Sequence, residues 1–251
     1  MPVIKASGMV LKQTEYGETN RMISIFTKEY GIINASVYGV KSLKGGKSVA
    51  CQVLSFSEFE LSKSKGDIHT VSSANLKESF FPIAEDMQKL SLAAYLCDIT
   101  YYALGMENPE ERVLSLLLNT LYAISYNDTE IRKAKCVYEM RMMCLLGYKP
   151  TLTKCVKCGN IKNIVSFSAR SGGLVCSDCP KEGIAIEKSV AQALGFIISA
   201  EDKKMFSFTL LENLMGVLEK ICEDYVRTQL DMEFASLLYF KNMITERVEK
   251  R

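Results

Sequence analysis

The chain has 251 residues, 48% of them hydrophobic and 24% charged, with a formal net charge of +2. That is the composition of an ordinary globular protein long enough for one large domain or two to three small ones, and it excludes a disordered or collagen-like chain. No apolar run approaches the roughly 20 residues that a membrane span needs, and the opening Met-Pro-Val-Ile-Lys has no apolar signal segment, so a cytoplasmic protein without membrane contact is expected. Charge is uneven along the chain. Residues 1–80 carry ten Lys/Arg against seven Asp/Glu, and residues 151–190 carry six against three, while the other two stretches are slightly acidic. The basic excess of those two segments hints at a polyanion partner.

Residues 8–73 read as β-structure. Strands are predicted at Gly8–Gln13, Arg21–Thr27, Ile32–Val40, Val53–Leu61 and Ile68–Ser73, separated by turn residues such as Lys28-Glu29-Tyr30-Gly31. Five short strands in about 70 residues suggest a small barrel, and the five-stranded OB-fold fits, with an SH3-like barrel as the alternative. The loop Lys41 to Ser48 ends in Gly46-Lys47-Ser48, but a phosphate-binding P-loop needs glycine where Lys41 stands, so that motif fails. What remains is Lys41, Lys44 and Lys47 with no acid among them. With Lys12, Arg21, Lys63 and Lys65 they form the candidate set for tracking a phosphate backbone, the bland reading being a solvated loop. Tyr16, Tyr30 and Tyr38 are candidate stacking faces or core residues.

From Pro82 the pattern turns helical. Met87, Leu90, Ala94, Cys97 and Tyr101 form an apolar stripe over residues 83–104. Asn108-Pro109-Glu110-Glu111 starts the next helix with proline at its first position, and Asn127-Asp128-Thr129-Glu130 offers a capping box for a helix running to about Leu146, ended by Gly147 and Pro150.

Cys155-Val-Lys-Cys158 and Cys176-Ser-Asp-Cys179 are two Cys-x-x-Cys knuckles, the signature of a four-thiolate Zn²⁺ site. With all four positions cysteine, no place is left for water, so the site is expected to be structural. Gly159 is expected to take a positive φ, and a hairpin is predicted between the knuckles, turning at Ser171-Gly172-Gly173. The other five cysteines, at 51, 97, 136, 144 and 222, read as buried free thiols of a reducing compartment. Helices are expected at 187–199, 208–229 and 233–248. Residues 1–81 thus form an OB domain, 82–152 and 184–251 two parts of one helical domain, and 153–183 an inserted zinc finger, an α+β multidomain protein. The single histidine, His69, has no catalytic partner in view, and the carboxylates of Glu58 and Glu60 read as a solvated strand face, so no enzyme is expected.

Several stretches resemble the bacterial recombination mediator family RecO: Gly8 to Lys12, Tyr16 to Arg21 and Phe26 to Gly31 at the start, and most specifically Tyr138 to Met143, Leu146-Gly147-Tyr148-Lys149-Pro150 and Cys155 to Gly159. The similarity runs over essentially the whole chain. Some members of that family lack the cysteines, whereas this chain keeps all four. The resemblance implies an OB-fold, a helical domain and a zinc finger. It further implies binding of single- and double-stranded DNA, annealing of complementary strands, and action with RecR to load RecA onto DNA coated by SSB. Family members also bind the acidic tail of SSB, for which Arg132, Lys133 and Arg141 are the candidates, with ordinary helix charges or an ion pair of Arg141 to Glu139 or another acid as the alternative. A protein–protein adaptor that only scaffolds partners is the second functional class.

Overall fold

Alternation of apolar residues along the first strands becomes the wall of a closed barrel. The computed structural model describes residues 3–16, 18–39, 46–63, 68–106 and 108–249. β1 (Val3–Tyr16), β2 (Asn20–Thr27), β3 (Gly31–Val37), β4 (Phe56–Lys63) and β5 (His69–Glu78) close in the order β1-β2-β3-β5-β4. Only β3 and β5 run parallel, the arrangement of the OB-fold. Ile23 and Ile25 of β2, Ile33, Ala35 and Val37 of β3, Phe59 and Leu61 of β4 and Val71 of β5 fill the interior, each two residues from the next on its strand as the pleat requires. β1 pairs with β4 through its first half and with β2 through its second, and its register with β2 slips between Val10 and Lys12. Such a bulge lets one long strand bend around the barrel. β1 and β5 therefore reach further than the sequence pattern indicated, whereas β3 ends at Val37 and β4 starts only at Phe56, preceded by a short helix, α1 (Gly46–Ala50). Gly31 has φ +71°, and a Cβ there would meet the Asn108 backbone at 2.4 Å, so only glycine fits.

Beyond the barrel come α2 (Phe81–Ala84), α3 (Met87–Leu104), α4 (Glu111–Tyr126), α5 (Ile131–Leu145), a three-stranded sheet of β6 (Ile164–Ser168), β7 (Gly173–Cys176) and β8 (Ile184–Ala185), then α6 (Lys188–Ser199), α7 (Glu212–Leu230) and α8 (Ala235–Glu249). Contacts group the described residues into two compact units. One holds everything up to Tyr126 together with the chain from Phe234; the other is Asn127–Glu233. In the first, α8 lies against α3; in the second, α6 and α7 lie against α5. The stretches 82–152 and 184–251 each contribute helices to both.

Within the first unit, α3 corrects the predicted stripe. Of Met87, Leu90, Ala94, Cys97 and Tyr101 only Cys97 is buried, whereas Leu92, Ala93, Tyr95, Leu96 and Ile99 are fully or almost fully so. The helix is covered by β1, β3, α2, α4 and α8, and a helix surrounded on most sides has no single apolar stripe to find. Its start is capped by Asp86, whose carboxylate accepts from the N–H groups of Gln88 and Lys89.

In the second unit the predicted capping box of α5 is replaced by Glu130, whose carboxylate accepts from the N–H groups of Arg132 and Lys133. The other end of α5 follows expectation. Gly147 has φ +93°, its N–H reaches Cys144 O, and the Tyr148 N–H reaches Met143 O. These two bonds make a Schellman closure. The Tyr148 carbonyl then accepts from the Tyr225 hydroxyl of α7 at 2.9 Å, and the Tyr225 ring meets Phe167 of β6 edge-on at 5.5 Å. The Leu-Gly-Tyr run thus fastens α5, α7 and the small sheet together. Among the described residues no helix is long and apolar enough to cross a membrane.

Candidate metal centre and nucleic-acid rim

The second unit brings the four clustered cysteines together. Their sulfurs all lie within 4.8 Å of one another, with Cys155 to Cys179 at 3.8 Å and Cys158 to Cys176 at 3.5 Å. Four sulfurs about 2.3 Å from a tetrahedral ion stand about 3.8 Å apart, so the cluster has the dimensions of a metal site and could hold a metal ion. The fold that sets it up is local. β6 and β7 form the expected hairpin, Gly159 takes φ +78°, and its N–H closes the first knuckle onto Cys155 O at 2.9 Å.

Electrostatics within the cluster favour a cation. Desolvation opposes ionisation of Cys155, but N–H groups of Cys176, Cys158 and Lys157 outweigh it and bring the thiol down to about 6. The sulfur of Cys158, followed by desolvation and the remaining sulfurs, pushes Cys179 up to about 12. One thiolate forms readily while Cys176 and Cys179 resist ionisation, and a positive ion bound among them would favour their deprotonated forms. Glu182 braces the site from outside. It pairs with Lys157 of the first knuckle and accepts from Ser168 and, at 3.1 Å, from Ser171 at the hairpin turn. The Lys157 ammonium and then the Ser168 hydroxyl hold its carboxyl down at about 2. Sequence reasoning did not find Glu182, because 25 residues separate it from Lys157.

The candidate DNA-binding cations divide sharply. Lys41, Lys44 and Lys65 lie outside the described residues. Lys12 is already engaged: its ammonium pairs with Asp98 at 3.1 Å and sits over the rings of Tyr101 and Tyr102 at 4.4 and 4.1 Å, fastening β1 to α3. Lys47 donates to the carbonyls of Val71 and Ser72 at 3.0 and 3.2 Å, fastening α1 to β5. Arg21 and Lys63 carry no ion pair among the described residues, and Lys63 is exposed.

Strand register relates the remaining groups. Arg21 pairs with Val37 at the end of β3, Ala35 with His69, and His69 with Lys63. The following Tyr38 is 54% exposed, and the Gly39 N–H holds Asn20 at 3.2 Å. Burial pushes the Cys51 thiol inside the barrel up to about 11 against the pull of Lys47 and Arg21, which lie near the same end. Arg21, Tyr38, Lys63 and His69 therefore share one rim. Tyr30 is exposed at the β2–β3 turn, away from these groups. Over the outer face of β1, β4 and β5 lies a groove of about 380 Å³ carrying Glu29, Glu58 and Glu60, with Lys5 paired to Glu60 and Lys77 to Glu58, so its acids outnumber its cations and both lysines are already committed.

Arg132, Lys133 and Arg141 are each occupied inside the second unit. Arg132 pairs with Glu219 and Glu212. Lys133 donates to Phe208 O at 2.8 Å and sits over the Phe208 ring. Arg141 takes the Ile197 and Ala200 carbonyls at the end of α6 and pairs with Asp202. The ion-pair alternative for Arg141 thus holds with Asp202, because Glu139 is engaged by Lys135 at 3.0 Å. An acidic peptide would have to displace these partners, so the three do not form an open basic patch.

Comparison with known proteins agrees with this architecture. The family model for the recombination protein O N terminal matches residues 1–80, and that for the recombination protein O C terminal matches residues 84–238. The chain is similar to the DNA repair protein RecO of Acetivibrio thermocellus, 33% identical over 97% of this chain and 98% of that protein. It is 31% identical to the proteins of that name from Caldicellulosiruptor saccharolyticus, over 96% and 99%, and from Alkaliphilus metalliredigens, over 94% and 97% of the two chains.

Proposed function

Because the chain belongs to the RecO family of DNA repair proteins, we propose that it is a non-catalytic recombination mediator of the bacterial cytoplasm. It binds single- and double-stranded DNA, anneals complementary strands, and acts with RecR to load RecA onto SSB-coated single strands. The observation that carries this reading is the barrel rim, where Arg21 and Lys63 have no internal partner among the described residues and flank the exposed Tyr38. Cations on a rim hold phosphates without reading bases, and neutralising two strands lowers the repulsion that opposes annealing. An exposed tyrosine between them supplies a stacking face that any base can use. The acidic groove over β1, β4 and β5 argues for the rim and against that face. We take the four-cysteine cluster to hold Zn²⁺, whose tetrahedral preference for thiolates matches the donor set; bound there, it crosslinks a small sheet with little core of its own. SSB remains a proposed partner, contacted elsewhere than at Arg132, Lys133 and Arg141.

The test is an Arg21→Glu/Lys63→Glu variant, assayed for single-strand binding across a salt series and for annealing. Losing two phosphate contacts should lower affinity at least tenfold at low salt and flatten the slope of log K against log salt by about 1.4, with an unchanged circular dichroism spectrum. Unaltered binding and annealing would remove the rim as a DNA site and favour the adaptor reading, in which the barrel only scaffolds partner proteins.

A further inference from the structure

A second surface of the first unit has the opposite chemistry from the rim. The inward residues of α4, from Val113 to Ile124, are buried. Its outward stripe is Ser115, Asn119, Tyr122 and Tyr126, spaced four, three and four residues apart and without a charge. Tyr122 is 51% and Tyr126 44% exposed, their rings 5.0 Å apart. The Tyr126 hydroxyl donates to Glu78 Oε1 at 3.0 Å, and the same oxygen accepts from the N–H groups of Ser79 and Phe80. This ties the end of β5 to α4 just before α2, which packs on α4.

The chain there is held in an unusual shape. Phe80 takes φ 47° and ψ 40° and is buried, while the next residue, Phe81, is 64% exposed. A left-handed conformation at a bulky residue is strained and persists only where surrounding contacts impose it. The backbone is thus committed to burying one ring and presenting the next to solvent. Met87, at the start of α3, is 56% exposed. Phe81, Met87, Tyr122 and Tyr126 lie on α2, α3 and α4, which pack on one another, so exposed apolar side chains gather on these three helices, the kind of surface that marks an interaction site. The acids beside it are Glu78, Glu85 and Asp86 in the connecting chain, of which Glu78 and Asp86 already accept backbone N–H groups while Glu85 is exposed; Lys77 is committed to Glu58 at 2.9 Å and Lys89 of α3 also has a partner. Phosphates are disfavoured there. Aromatic faces beside carboxylates suit an arginine or lysine set among apolar side chains.

We propose that Phe81, Met87, Tyr122 and Tyr126, rimmed by Glu78 and Glu85, are a docking surface for a partner-protein segment that carries basic and apolar side chains together. This inference does not depend on the DNA reading. Its probe is a fluorescein-labelled amphipathic helical peptide of leucine with arginine and lysine, compared with a peptide of the same apolar face bearing glutamate, and with oligo-dT. The full-length protein is expected to bind the basic peptide at least tenfold more tightly than the acidic one. Phe81→Ser/Tyr122→Ser, both positions exposed, should lose at least tenfold for the basic peptide while keeping its thermal unfolding midpoint and its oligo-dT affinity. Glu85→Lys should narrow the preference between the two peptides. Equal binding of the basic peptide by the wild type and the double variant, no binding of it by the wild type, or loss of oligo-dT binding in the double variant would overturn the proposal. The Arg21→Glu/Lys63→Glu variant should bind the peptide normally, so failure here and failure at the rim are told apart.

Discussion

Two clusters in the second unit have the ligand set of a metal site, and they solve the same electrostatic problem in different ways. Cys155, Cys158, Cys176 and Cys179 bring four sulfurs together with no cation among them. Cys136, Glu139 and Cys222, between α5 and α7, also have their ligand atoms within 4.8 Å. There the cation is built in: Lys135, with no exposed side-chain surface, reaches Glu139 and Glu223 at 3.0 Å each. Burial alone would discharge that ammonium, but the carboxylates of Glu139 and Glu223 hold it above the ordinary lysine value. Desolvation and the adjoining Cys136 push the Cys222 thiol well up, so it stays a neutral packing group. Similar donor sets therefore differ: a buried lysine ammonium stands beside one, whereas the other could hold a metal ion.

Removing each cation tests the contrast. The largest effect should follow extraction of the metal or Cys155→Ser, because binding to a structural thiolate site contributes on the order of 10 kcal/mol to the folded form. Metal analysis should find one zinc per chain in the wild type. Chelation should lower the unfolding midpoint and open residues 151–186 to proteolysis. Stability untouched by chelator would remove the structural role.

Next in size is Lys135→Met, which leaves Glu139 and Glu223 without their cation and should cost about 3–5 kcal/mol in denaturant unfolding. Adding Glu139→Leu should restore part of the loss. A single variant as stable as the wild type would show that the ammonium does not balance these acids. The smallest effect concerns Glu182. Its folded carboxyl is depressed to about 2, so its stabilisation is complete above the ordinary carboxylate range and is lost as pH falls toward 2. Wild type and Glu182→Gln should differ most near neutrality and converge in acid; a constant difference through that window would mean that the pairs with Lys157 and Ser168 do not depend on the charge.

Local signals in the chain predicted local structure well. The paired Cys-x-x-Cys knuckles, Gly159 and the Gly172-Gly173 turn announced the four-cysteine cluster and its hairpin, because spacing alone brings such side chains together. Alternation in β2 and turn residues between strands announced the barrel. Lys135 and Glu139 are four residues apart among apolar neighbours, a signal that was legible in the sequence but reads at first as a solvated helix pair. The cations were the least legible. Lys12, Lys47, Arg132, Lys133 and Arg141 look like surface charges in the sequence, yet each is engaged by groups 24 to 87 residues away.

By itself, then, the sequence determined the pairing of the four clustered cysteines, the OB-type barrel and the family to which the chain belongs, since all of these rest on short-range patterns and spacings. Tertiary structure decided which helices pack together, that α3 is enclosed on most sides, and which basic side chains remain uncommitted. A charge becomes a binding group only where the fold supplies no partner for it, and the partners here come from distant parts of the chain. Arg21 and Lys63 on the rim are left without one among the described residues, whereas Arg132, Lys133 and Arg141 are not.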